Sequence, residues 1–255
     1  YWGHSTYKFT PEQNLIALSH YLECLRLQRT IAQAMAVFGA KQPHPQSLTV
    51  GGVTCVMDLQ SPARLGEYMV KFQEMADFIN RAYWPDLVMA AKAYANEPSV
   101  VNDIGTPNLM TYQDFQIGAN EYLFDGGYIL NGDISKVFEV DENLITEEAT
   151  RSWYKNDAPL HPYDGDTTPN YTGFKDAKTL NAKGEMEESK VFDIAGKYSW
   201  IKAPRYNSLP MQVGPIANIV VNYVKGNKNV VPVVDKFLAE TGLPVSAVLS
   251  TLGRT

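Results

Sequence analysis

The chain has 255 residues, 45% of them hydrophobic, and a formal net charge of −6. That apolar content supplies a core for one large domain or two small ones and excludes wholesale disorder. The acidic balance, with Lys and Arg scattered and no basic run, excludes nucleic acid as a partner, because phosphate binding needs a basic face.

In chain order, Thr10-Pro11-Glu12-Gln13 predicts a helix start. Thr10 can cap, Pro11 suits the first turn, and Gln13 completes a capping box. Leu15, Leu18, Leu22 and Leu25 recur at spacings of three and four and are expected to face a core. Ile31, Met35 and Phe38 continue the apolar pattern, and Gly39 is the expected stop, which makes a helix of about 28 residues or ~42 Å. Ser61-Pro62 opens a second helix, with Leu65, Met69, Phe72, Ala76, Ile79 and Tyr83 as its expected core stripe. Pro85 should kink or end it, leaving a short helical piece from Asp86 to Ala95. Over residues 98–145, short apolar runs such as Tyr128-Ile-Leu130 and Val137-Phe-Glu-Val140 read as strands. A brief helix is expected around Thr146–Trp153. Residues 156–190, rich in Asp, Asn, Gly, Pro and Lys, read as a long surface excursion. Val191–Ile194 and Tyr198–Ile201 look extended, and helices are expected over Pro215–Tyr223, Pro232–Thr241 and Pro244–Leu252. The expected fold class is α+β, a mainly helical core of long packed helices with small peripheral β-sheets, in a single domain over residues 1–255.

Between the two long helices lies Lys41-Gln-Pro-His-Pro-Gln-Ser-Leu-Thr-Val-Gly-Gly-Val-Thr-Cys55. Two prolines stiffen the backbone around His44, and Gly51-Gly52 is expected to admit a close neighbour. This block resembles the large subunit of the nickel–iron hydrogenases, in the group of membrane-associated uptake enzymes. The same family is resembled, in order, by Tyr1-Trp-Gly-His4, His20-Tyr-Leu-Glu23, Asp125-Gly-Gly-Tyr-Ile-Leu-Asn-Gly132 and Ser152-Trp-Tyr-Lys155. It is resembled again by His161-Pro-Tyr-Asp-Gly165, Pro169-Asn-Tyr171, Tyr198-Ser-Trp-Ile-Lys-Ala-Pro-Arg205, Val213-Gly-Pro215 and Ser250-Thr-Leu-Gly-Arg-Thr255.

The resemblance implies reversible oxidation of H2 to protons and electrons. It implies a nickel–iron centre with CN and CO ligands, a magnesium ion nearby, and a small-subunit partner whose iron–sulfur clusters take the electrons. The family holds nickel and iron with two Cys-x-x-Cys pairs, whereas this chain has two cysteines, Cys24 and Cys55, and no such pair. The chain is therefore expected to be an internal segment of a larger subunit, and no catalytic residue or direct metal ligand is assigned within it. His44 is implied to lie near the partner's iron–sulfur cluster. Glu147 and Lys202 are implied to be outer partners of the magnesium site, and Arg205 is read as structural. No apolar run approaches the ~20 residues of a membrane span, and no charged-then-apolar leader opens the chain. The resemblance implies export with the small subunit to the periplasmic side of the membrane and membrane association only through partners; a cytoplasmic location is the alternative.

Several readings of single residues stay open at this level. His20 and Cys24, four apart on a helix, could share a face, but two residues do not make a metal site. Cys24 and Cys55 read as buried free thiols, with one bridge as the alternative. For the whole chain, the rival to the enzyme is a scaffold that keeps the fold and binds a partner without catalysis.

Overall fold

Thr10 accepts a hydrogen bond from the Gln13 amide, and the Gln13 side chain accepts one from the Thr10 amide, so the predicted capping box is formed. From it runs α1, Pro11–Gly39. The computed structural model describes residues 3–97, 105–156, 158–193 and 195–245. The left-handed residue that ends α1 is Ala40, at φ 64°, while Gly39 stays helical. What Gly39 provides is space: a Cβ there would lie 3.3 Å from Pro45 Cβ. The loop folds back on the helix end, and the Gln46 amide donates to the Gly39 carbonyl at 2.8 Å.

A small hairpin follows, β1 (Leu48–Thr49) with β2 (Gly52–Val53), then the single turn α2 (Val56–Leu59). Gly51 turns the hairpin with φ 85°, but added Cβ atoms at Gly51 and Gly52 would meet nothing within 4 Å. The expected close neighbour is therefore not within the described residues. Next comes α3 (Pro62–Phe78), capped by Ser61. Pro85 does not interrupt the helical path. A π-helical turn, Ile79–Tyr83, leads straight into α4 (Trp84–Ala93), where Pro85 sits in the first turn. The wide turn supplies the slack: the Trp84 amide reaches back five residues to the Ile79 carbonyl. Proline has no amide to donate, and the chain passes it just after the widened turn rather than inside a regular α-helical stretch.

The chain divides into two compact units, Tyr1–Asn102 with Asp235–Thr255, and Asp103–Val234. In the first unit α1 packs on α3 and the π-turn through Leu27, Phe78 and Ala82, all at most 3% exposed. Arg81–Glu23 (2.6 Å) and Arg26–Glu74 (3.6 Å) flank that seam. The expected core stripes are corrected by this packing. Leu15, Leu18, Leu22 and Leu25 are exposed, as are Leu65, Met69, Phe72, Ile79 and Tyr83. Periodicity marks an apolar face, but what covers it is settled by the neighbours, and among the described residues nothing does.

The second unit contains several two-stranded pairs, one of which carries a helix. Strand β3 (Leu109–Thr111) pairs with β6 (Gly127–Ile129), and α5 (Pro215–Val224) packs on both. Leu109, Ile129, Ala217 and Val221 are at most 1% exposed. Strands β4 (Asp114–Gly118) and β5 (Glu121–Phe124) form a hairpin. The expected strand Val137–Val140 shrinks to one bridge, Phe138 to Tyr128. The expected helix near Thr146–Trp153 is instead β7 (Ile145–Glu148), after a 3-10 turn at Glu142–Leu144. Its partner β10 (Ala203–Tyr206) is distant in sequence, so the pairing overrides the local helical signal. Within the expected surface excursion, β8 (Phe174–Leu180) and β9 (Met186–Phe192) form a regular hairpin. Helix α6 spans Val231–Thr241, before Gly242 at φ 72°. The helix expected over Pro244–Leu252 lies, beyond residue 245, outside the described residues.

Candidate functional site

Strands β7 and β10 set Pro204 opposite Glu147, which brings the neighbouring Lys202 to the same place. Lys202 Nζ donates to Glu147 Oε2 at 3.1 Å, and the two side chains are 13% and 31% exposed. The structure thus joins two residues 55 apart in sequence that the sequence reading had singled out.

Four motifs close on this pair. The Ser152 hydroxyl, 1% exposed, donates to the Ile201 carbonyl at 2.5 Å, one residue before Lys202. The Trp153 amide donates to Ser199 and its indole N–H to the Lys197 carbonyl, both at 2.9 Å. Lys202 Nζ lies 5.0 Å from the centre of the Tyr154 ring, within cation–π range. The Asn170 amide donates to Trp153 at 2.7 Å, and the Lys155 amide to Thr168 at 3.0 Å. On the far edge of β7, the Glu147 amide donates to Leu160 at 2.8 Å, which leads the His161–Gly165 turn over the pair. A Cβ at Gly165 would lie 3.0 Å from Lys202 Nζ and 3.4 Å from Glu147 Oε2. Beside it, Asp166 accepts from Thr168; those hydrogen bonds, with Lys155 and Lys202 nearby, hold its carboxyl below the usual range. Tyr154, Gly165 and Asp166 were not legible as site residues, because no local pattern ties them to a lysine in another segment.

Of the remaining candidates, all but Arg205 lie in the first unit. His44 is exposed on the loop after α1, next to the cis peptide Gln42–Pro43. His20 does not pair with Cys24. Its Nδ1 lies 2.8 Å from Asp86 Oδ2, a partner the spacing argument missed. That pair and Cys24 border a largely apolar cavity of about 280 Å³ with Phe9, Tyr83 and Met89. Cys24 and Cys55 are free; Cys24 packs on the Leu27–Phe78–Ala82 cluster and Cys55 is buried just before α2. Arg205 donates to its neighbour Pro204's carbonyl at 2.8 Å.

The family model for nickel-dependent hydrogenases matches residues 1–255. The chain belongs to that family. It is 54% identical to the quinone-reactive Ni/Fe-hydrogenase large chain of Wolinella succinogenes, over 100% of this chain and 44% of the relative. It is 37% identical to the uptake hydrogenase large subunit of Rhizobium leguminosarum bv. viciae, over 100% and 45%. Its fold is similar to the Ni-Fe-Se hydrogenase from D. vulgaris Hildenborough, with TM-score 0.70 and 26% identity over 99% of this chain and 48% of that one. The chain thus spans about half the length of the relatives it matches.

Against the metals this family implies, the donor sets differ. Among the described residues no group of three or more His, Cys, Asp or Glu side chains converges as metal ligands. The two thiols sit in separate surroundings, so these residues do not fit a nickel–iron centre held by thiolates. Glu147 and Lys202 fit a different part. An ammonium with three donors and a carboxylate with four acceptor sites can hold the water shell of a magnesium ion, which keeps several waters.

Proposed function

We propose that the whole protein is the large subunit of a nickel–iron hydrogenase, catalysing H2 ⇌ 2H⁺ + 2e⁻, with this chain as one part of it. The observation that carries the reading is the family match over residues 1–255, with 54% identity to a Ni/Fe-hydrogenase large chain. The nickel–iron centre, with its CN and CO ligands, belongs to segments outside this chain, and iron–sulfur clusters in a small-subunit partner take the electrons. A bound magnesium ion would supply fixed positive charge and ordered waters. Lys202 would donate to those waters and Glu147 accept from them, each orienting the other. His44, exposed on a stiff loop, would face the partner's nearest cluster. The quinone-reactive relative supports membrane association. Among the described residues no helix is long and apolar enough to cross a membrane; the protein would associate with the membrane through its partners, on the periplasmic side. For the fold, we take the α+β class, with α1 and α3 as long packed helices alongside small two-stranded sheets.

The test is hydrogen-dependent reduction of a viologen dye by the whole protein purified with its small subunit, alongside nickel analysis. Uptake with about one nickel per large subunit is expected. A folded complex without nickel and without uptake would replace the enzyme with a non-catalytic scaffold.

A further inference from the structure

We infer that Tyr154 and Gly165 are positioning residues that clamp the Lys202 ammonium against Glu147. A lysine head group has three rotatable donors on a flexible stem and does not hold one direction by itself. Here it meets a wall on three sides. Glu147 Oε2 accepts from it at 3.1 Å, the Tyr154 ring centre lies 5.0 Å away, and Gly165 presses from the loop. Tyr154 is itself fixed. It bridges to Pro169, and its ring stands edge-on to Trp200 at 5.7 Å.

Gly165 is informative because its backbone does not demand glycine. It is not among the glycines with left-handed φ. What excludes a side chain is space, since a Cβ would sit 3.0 Å from Nζ and 3.4 Å from Oε2. The flexible ammonium, rather than the backbone, is the atom that would yield. Gly165→Ala therefore displaces the head group with little cost elsewhere. The consequence for turnover rests on the hydrogenase reading proposed above; the clamp itself does not.

The experiment is timed lysine acetylation of the whole purified protein, read by mass spectrometry, with the buried Lys197 as internal control. Lys202 should be slow in the wild type. Gly165→Ala and Tyr154→Leu should each speed Lys202 labelling about two- to fivefold, the loss of one contact of this kind, with Lys197 unchanged. Tyr154→Phe keeps the ring face and should keep the protection. Wild-type labelling of Lys202 in both Gly165→Ala and Tyr154→Leu overturns the clamp, as does loss of protection in Tyr154→Phe. Faster labelling with hydrogen uptake unaltered keeps the clamp and removes the magnesium-shell role proposed for the ion pair.

Discussion

Replacing Asn222 by alanine should cost about 2–6 kcal/mol, because two polar groups of Asp125 lose their partners and each orphaned group costs ~1–3 kcal/mol. Asn222 lies on α5 with no exposure. Its Oδ1 accepts from the Asp125 amide at 2.7 Å and from Asn227 at 3.1 Å. Its amide nitrogen donates to the Asp125 carbonyl at 3.1 Å and to Asn218 at 2.9 Å. Two of the four partners are covered after truncation. Asn218's carbonyl remains in the helix, and Asn227 still donates to Leu123 and Asp125 Oδ2 at 3.2 and 3.0 Å. The Asp125 amide and carbonyl are left. Both flank Gly126-Gly127, where side chains are excluded: a Cβ on Gly127 would lie 2.7 Å from Val137 Cγ1. The loss should therefore appear as local opening at residues 123–128. Thermal unfolding of the whole protein measures the total, and hydrogen exchange read by mass spectrometry locates it. A cost below about 0.5 kcal/mol, the range of ordinary surface changes, with unaltered exchange at 123–128, would refute the accounting.

Three further outcomes are expected. The isolated 255-residue chain should self-associate through the exposed faces of α1 and α3, where Leu15, Leu22, Met69 and Phe72 are 52–69% exposed; a sharp monomer peak in light-scattering chromatography would contradict this. Asp166 has a folded-state pKa below its unfolded value of 3.8, so its contribution is complete above that pH and is lost as pH falls through the folded pKa. In acid titrations of stability, Asp166→Asn should be weaker than wild type near neutrality and converge with it in strong acid; parallel curves throughout would remove that linkage. His44→Ala in the whole enzyme should leave fold and nickel content intact and lower the nearest cluster's potential, because a nearby donor favours the reduced cluster. Redox titration by paramagnetic resonance reads this, and an unchanged potential with unchanged uptake kinetics returns His44 to an ordinary loop residue.

The helix starts at Thr10 and Ser61 were legible because each cap is closed within four residues of chain, needing no distant partner. Family membership was legible too, since motifs are strings. Tertiary contacts alone decided which faces are buried. Leu27 and Phe78 are core, whereas Leu15 and Leu22, equally apolar, are exposed. They also turned a helix-like Ile145–Glu148 into a strand, because β10 satisfies its amides and carbonyls. In β8–β9 a run of charged residues hid an alternating hairpin whose turn depends on Gly184 at φ 79°. The candidate site follows the same division. Glu147 and Lys202 could be named from motifs, but their 3.1 Å contact, the Tyr154 ring beside them and the space kept by Gly165 arise only when four separate segments meet. Sequence encodes what neighbours along the chain can satisfy, while a charge pair between distant segments exists only once the fold has closed the loops between them.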